Sequence, residues 1–312
     1  MEDSSETFED CPVESPTAQA IIRLATRRSP LALRQAELAA DWVAQAFPDC
    51  QAKLLPMTTT GDERQQWSLE TKGGKGLFTR ELERALLDGE ADLAVHSAKD
   101  LPTQLPDGLC IAGYLPRADA ADVLVHACAE SHFKKLATSS PRRRAQLQNR
   151  FPEVEWTTLR GNVGTRLRKL TGGAADGTIL AAAGLARLAI DPSDHPSLKF
   201  SPIPLTEMVP APGQGAIALE CRVADRERFA GHLCHSTHYA VTIEKLFLSL
   251  LGGGCQTPVG AHYAETTLHI YHPRIGRESL AIANDLTAET IEGLLTEALK
   301  QWQLLPTDKD LT

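Results

Sequence analysis

The stretch Ile21 to Thr26 (IIRLAT), followed at once by Ser29-Pro30 and a long amphipathic run, constrains the fold of this chain more than any other feature. A short apolar run reads as a strand, and a hydroxyl residue with proline behind it reads as a helix N-cap and first helical position. The helix is expected to reach about Phe47 and to bury Leu31, Leu38, Trp42 and Val43. Leu77 to Leu87 predicts a second amphipathic helix ending near Gly89, and Asp92 to Ser97 (DLAVHS) a strand. Thr178 to Ala183 (TILAAA) repeats the pattern, with Gly184 expected to turn the chain into a helix over 185–190. Strands alternating with helices imply α/β domains with mostly parallel sheets. Ligands collect outside the carboxyl ends of such strands, which marks Lys99-Asp100 and Gly184 to Arg187. Proline-rich SPIPL (Ser201 to Leu205) and PAPGQG (Pro210 to Gly215) read as crossings between lobes. From about His235 a smaller unit follows: a helix through Leu250, a glycine-rich loop, short strands, and a helix from Ala288 to Trp302.

Charge narrows the function. The chain carries a formal −8, yet between Lys134 and Lys169 ten Lys/Arg stand against two Glu, a local +8 on a remainder of −16. A field of that size suits an anionic ligand or a solvated basic face. Phe151 and Trp156 alone interleave with those charges, which is poor for stacking nucleic-acid bases. The first twenty residues hold six acids and no Lys or Arg, unlike a secretory or transit peptide, and read as a disordered acidic tail. No run approaches a membrane span. Seven scattered cysteines without a C-x-x-C spacing argue against a disulfide framework and for a reducing cytoplasm.

Several short motifs carry possible chemistry. Asp100 beside Lys99 reads equally as a structural ion pair or a positioned catalytic carboxylate. Thr138-Ser139-Ser140-Pro141 before Arg142-Arg143-Arg144 offers hydroxyls and guanidinium forks suited to carboxylate or phosphate. A basic helix start opposes the helix dipole, which tilts that segment toward anion binding. LRGNVGTRLRKL (Leu159 to Leu170) contains G-x-x-G, but its surroundings do not suit a KH domain. KGGKG (Lys72 to Gly76) lacks P-loop spacing. His232, Cys234, His235 and His238 match no standard zinc signature, so no metal is expected. GGGCQTPVG (Gly252 to Gly260) fixes one thiol, Cys255, between three glycines and a proline.

ATRRSPLAL (Ala25 to Leu33), GGKGLFTRELE (Gly73 to Glu83), AVHSAKDLP (Ala94 to Pro102), TSSPRR (Thr138 to Arg143), LRGNVGTRL (Leu159 to Leu167), GQGA (Gly213 to Ala216) and GGCQTPVG (Gly253 to Gly260) stand in one order. In that order the chain resembles the porphobilinogen deaminase family over roughly Arg23 to Ala264. The resemblance implies a transferase of tetrapyrrole biosynthesis that joins four porphobilinogen units head to tail, losing ammonia each time, and releases hydroxymethylbilane. It implies that Cys255 holds a dipyrromethane cofactor through a thioether. Asp100 then matches the essential carboxylate, placed to stabilise the electron-poor pyrrole left when ammonia departs. Lys99, Thr138, Ser139, Ser140, Arg142, Arg143 and Arg166 match cofactor contacts, and Arg27, Ser29, Gln35, Arg187 and Gln214 substrate contacts.

The implied fold is α/β with three domains: two lobes like those of periplasmic binding proteins and a small α+β C-terminal domain carrying the cofactor loop. Their expected boundaries are 21–115 with 207–234, then 116–206, then 235–312, behind the tail of 1–20. Porphobilinogen is the expected partner of a cytoplasmic monomer, without nucleic acid or membrane. A non-catalytic bilobal anion-binding protein would keep the arginines but would not need Cys255 and Asp100 together. Pro141 departs from the family pattern, the loop before Gly73 is one residue short, and the segment after Ala264 is short for the third domain.

Overall fold

A computed structural model describes residues 19–59, 79–254 and 257–305. Most of the acidic tail, the KGGKG stretch, Leu77 and Cys255 therefore lie outside the described residues.

Strand β1 (Ala20–Arg27) runs straight into helix α1 (Pro30–Ala46), with Ser29 capping it by accepting from the backbone N–H of Ala32 at 3.3 Å. The face that α1 buries is made of Ala32, Gln35, Ala36, Ala39 and Val43, whereas Leu31, Leu38 and Trp42 are half-buried. Val43 is buried as expected, and the other three expected residues lie at the margin of the buried face. Small side chains let the helix lie close on the sheet, and the larger ones close the rim. Next come β2 (Cys50–Met57), α2 (Arg80–Leu87), β3 (Leu93–Ser97) and β4 (Leu109–Tyr114). The chain crosses over residues 115–121 to β5 (Asp122–His126) and continues through β6 (Lys135–Ala137), α3 (Pro141–Leu147) and β7 (Glu155–Thr157). Then follow α4 (Val163–Thr171), β8 (Gly177–Ala181), α5 (Ala182–Arg187) and β9 (Lys199–Ile203). A second crossing over 204–216 leads to β10 (Ile217–Arg222), α6 (Arg226–Ala230) and α7 (His235–Leu250). The chain closes with β11 (Gly260–Ala264), β12 (Thr267–His272), β13 (Gly276–Ala281) and α8 (Ala288–Gln301).

These strands form two five-stranded sheets, ordered β2-β1-β3-β10-β4 and β7-β6-β8-β5-β9, and a three-stranded meander, β11-β12-β13. The two large sheets share one plan. Each has a parallel set interrupted by one antiparallel strand, β10 or β5, and each interrupting strand directly follows a crossing. Two expectations need correction. Gly184 lies inside α5 and does not turn the chain, because the helix already begins at Ala182. Ser201 to Ile203 belong to β9 and not to a crossing; Pro202 is tolerated because β9 is an edge strand.

Separate apolar cores sit under each sheet. Ile22, Leu24, Val95, Leu219 and Phe229 fill one, Val125, Leu167 and Leu180 another, and Phe247, Ile270 and Leu295 a third, beneath the meander. The two crossings touch at Gly215, whose φ of +86° favours glycine and whose absent Cβ would stand 2.4 Å from the carbonyl oxygen of Ala118. Gly215→Ala is expected to cost on the order of 2 kcal/mol or more through left-handed strain and that backbone clash. Equilibrium denaturation of the variant beside wild type measures the cost.

Candidate active site

Four parallel strands end on one side of the two sheets, and the sequence places its chemistry just beyond them. β1 delivers Arg27 and Ser29, and β3 delivers the turn Ala98–Asp100. β6 leads through Thr138, Ser139 and Ser140 into α3, and β8 through α5 to Arg187. The start of α1 and α5 face each other across the two sheets: a Cβ on Gly184 would lie 3.9 Å from the side chain of Leu31.

Lys99, Ser140 and Arg142 line one cavity together with Gly254 and Thr257, the described residues on either side of 255–256. Gly254 and Thr257 are joined by hydrogen bonds: Gly254 N–H donates to Thr257 Oγ1 at 2.8 Å, and Thr257 N–H to the Gly254 carbonyl at 2.9 Å. Gly253 is required by close packing, since a Cβ there would meet Leu248 at 2.7 Å and Thr257 at 2.9 Å.

The site is strongly cationic, and two acids shape it. Asp122, fully buried at the start of β5, accepts from Arg143 Nε and Nη2 at 3.0 and 2.7 Å and pairs with Arg142 Nη2 at 2.8 Å. Burial alone would push its carboxyl up, but the charges of Arg142 and Arg143 outweigh that and hold it well below the usual carboxylate range. Arg142 Nη1 also donates to the Val209 carbonyl at 2.7 Å, and Arg143 Nη1 to that of Ile179 at 2.8 Å. Much of the guanidinium fork expected for ligand carboxylates is therefore committed to the protein. Burial and the positive charge of Arg143 pull the Lys99 ammonium down to about 8, against the opposing pull of Asp100 and Asp122. Arg166 is likewise lowered by burial and by Arg143, with Asp100 acting the other way. Asp100 itself is exposed, and Arg166 and Lys99 both feel its charge.

Two other expected residues, Gln35 and Gln214, are buried behind this surface, and Arg166 and Arg187 are half-buried. Gln35 is 3% exposed and bonds Ser97 Oγ, donating from Nε2 at 2.9 Å and accepting at Oε1 at 3.1 Å. Gln214 is 1% exposed: it donates to the Ala120 carbonyl at 2.7 Å and to Asp122 Oδ1 at 3.0 Å, and accepts from Lys99 Nζ at 3.4 Å. Arg187 donates to the Gly215 carbonyl at 2.6 Å and Arg166 to that of Gly161 at 2.8 Å. Among the described residues no group of three or more His, Cys, Asp or Glu is placed to hold a metal. His232 meets the ring of Phe47 edge to face, and His238 that of Tyr114.

A family model described as the porphobilinogen deaminase, dipyromethane cofactor binding domain, matches residues 22–230. The chain belongs to the porphobilinogen deaminase family. The porphobilinogen deaminase of Phenylobacterium zucineum strain HLK1 is 44% identical over 260 residues, which cover 78% of this chain and 80% of that protein. Among solved structures, the periplasmic VFT2 domain of Bordetella pertussis BvgS has a TM-score of 0.41 at 15% identity, covering 68% of this chain and 85% of that one. An ancestral arginine-binding protein bound to arginine has a TM-score of 0.39 at 12% identity, covering 68% of this chain and 90% of that one.

The deaminase family's cofactor can be tested against the donors present. Among the described residues, Ser139 Oγ and Arg142 Nε are buried without a hydrogen-bond partner. Arg142 lines the cavity itself, and Ser139 adjoins Ser140, which does. Unpaired buried donors are costly, and ligand carboxylates satisfy them. With Lys99 alongside, the set fits a dipyrromethane bearing several carboxylates. Asp122, Glu244 and Arg117 belong to none of the sequence motifs, although an acid within the buried strand DVLVH is a visible anomaly.

Proposed function

We propose that this member of the porphobilinogen deaminase family joins four porphobilinogen units into hydroxymethylbilane with loss of ammonia, with Asp100 as its catalytic carboxylate and Cys255 as the cofactor's attachment point. The observation that carries this reading is one cavity shared by Lys99, Ser140 and Arg142 with the residues flanking Cys255. When bound, the dipyrromethane supplies the acceptor pyrrole for the first substrate unit. Ser139 and Arg142 would hold its carboxylates, and Lys99 would face them as a cation. Arg27 at the end of β1, Arg166 on α4 and Arg187 at the end of α5 would receive the acetate and propionate groups of substrate. Asp100, at the exposed lip, would stabilise the positive charge that develops on the pyrrole as ammonia leaves. It would also take the proton released when rings join.

The same reading divides the chain into three domains, one for each sheet and its core, with the crossings at 115–121 and 204–216 as hinges. Four additions in one cleft require such movement. A cytoplasmic monomer belongs to the proposal as well. Among the described residues no helix is long and apolar enough to cross a membrane.

The intact mass of denatured wild type, beside Cys255→Ser, tests the reading. Wild type is expected to exceed its sequence mass by two linked pyrrole units and the variant to match its own. An unmodified wild type, unchanged after incubation with porphobilinogen, would support the bilobal binding protein instead.

A further inference from the structure

We propose that Asp122 is a positioning residue for this reaction, a built-in counter-ion that holds Arg142 and Arg143 and, through Gln214, sets Lys99 for ligand carboxylates. The inference rests on Lys99 belonging to the site as read above.

Three observations carry it. Asp122 occupies the first position of β5, the first residue after the crossing from one large sheet to the other, and is 0% exposed. Its two oxygens are divided between partners: Oδ1 accepts from Arg143 at 2.7 and 3.0 Å and from Gln214 Nε2 at 3.0 Å, while Oδ2 lies 2.8 Å from Arg142 Nη2. Gln214, on the second crossing, turns its other end to Lys99 Nζ at 3.4 Å. A continuous polar path therefore leads from the β6–α3 arginines through one carboxylate and one amide to the lysine beside Asp100, and it runs through the second crossing at Gln214.

A carboxylate buried without this purpose would be costly, since apolar residues of similar volume pack a strand start equally well. Its value here is directional. It fixes the tilt of two guanidinium groups, leaving Arg142 Nε free of protein partners among the described residues. It also places negative charge behind Lys99, where a mobile counter-ion would compete with ligand. Lys99 is faced by Asp100 from its own turn, by Arg142 and Arg143 from α3, by Asp122 from β5 and by Gln214 from the second crossing. Arg143 and Arg142 disfavour its cationic form, and the two acids support it. Removing the charge of Asp122 must therefore lower the pH at which Lys99 loses its proton.

The test compares holoenzyme of wild type, Asp122→Asn and Asp122→Glu. Acetic anhydride labelling over a pH series, with the Lys99 peptide quantified by mass spectrometry, gives the lysine's midpoint without reference to turnover. The pH profile of kcat/KM is recorded alongside, and thermal unfolding reports folding. In Asp122→Asn the Lys99 midpoint is expected to fall by about one pH unit or more, with the alkaline limb of kcat/KM falling beside it. Asp122→Glu, which restores the charge, should return both toward wild type. A folded Asp122→Asn with an unmoved midpoint overturns the proposal. So does a moved midpoint with an unmoved rate profile, which would leave Asp122 a structural neighbour. If Asp122→Asn does not fold, Gln214→Met keeps the arginine contacts and removes the oxygen facing Lys99. It should lower the same midpoint, and no change there overturns the proposal. The labelling readout is independent of the deaminase reading, which the mass experiment decides separately.

Discussion

Asp100→Asn is expected to fold as wild type does and to turn over porphobilinogen about 10²–10⁴ times more slowly. The side chain is exposed and ends a single turn, Ala98–Asp100, so the substitution disturbs no apolar core. Asn keeps the shape and one acceptor oxygen but can neither carry a full negative charge nor accept a proton at neutral pH. Loss of the charge also removes the anion that offsets Lys99 and Arg166, leaving that face of the site without negative charge toward a developing cation. Electrostatic stabilisation in a site closed from water can add to the acid–base contribution, so the larger end of the range applies if the lobes close on substrate. The measurement is kcat at saturating porphobilinogen, with thermal unfolding as the control. A folded variant within a few-fold of wild-type kcat would exclude Asp100 from the chemistry and move attention to Lys99. Unfolding temperatures should agree closely, since surface substitutions outside special features rarely move stability by more than about 0.5 kcal/mol.

The features legible in the sequence are those fixed by neighbours along the chain. Ser29-Pro30 and Ser140-Pro141 announce helix starts because capping is a local hydrogen bond, and both caps form as expected. The end of β3 is legible for the same reason, which puts Lys99-Asp100 at a carboxyl edge, whereas Arg187 closes α5, a helix beyond the end of β8. The interrupting strands β5 and β10 could not. Each joins its sheet by antiparallel pairing across long separations, and alternation in sequence cannot tell a strand's direction. Arg142 and Arg143 illustrate the same limit in chemistry. Their sequence context suits carboxylate binding, and they do bind one, but the nearest carboxylate is the chain's own Asp122, about twenty residues upstream in β5. The shared plan of the two large sheets is invisible as sequence repetition, because packing constrains shape and polarity at each position without dictating identity.

Glu244→Gln should produce the largest loss of stability, about 3–5 kcal/mol, because it breaks a buried ion pair and leaves Arg117 uncompensated. Glu244 is 0% exposed on α7 and holds three separate segments. Arg117, on the first crossing, donates to Oε1 at 2.6 Å and Oε2 at 3.1 Å. Gly213 N–H, on the second crossing, donates at 2.7 Å, and Tyr263 N–H, on β11, at 2.8 Å. One carboxylate thus joins both crossings to the meander, from the helix that runs on to Gly252–Gly254. Burial pushes its carboxyl up, but the charge of Arg117 and hydrogen bonds from Arg117 and His262 prevail and hold it below the ordinary value. A carboxylate depressed on folding contributes its full stability above the unfolded value of about 4.3 and loses it as pH falls through the lower folded value. Wild type should therefore lose stability more steeply than Glu244→Gln on acidification below about pH 4, and the two should converge there. Urea denaturation at a series of pH values measures both effects. Parallel curves with a constant gap would mean that Glu244 acts through shape and hydrogen bonding alone. Converging curves would show that its charge ties the crossings to the segment that leads into Cys255.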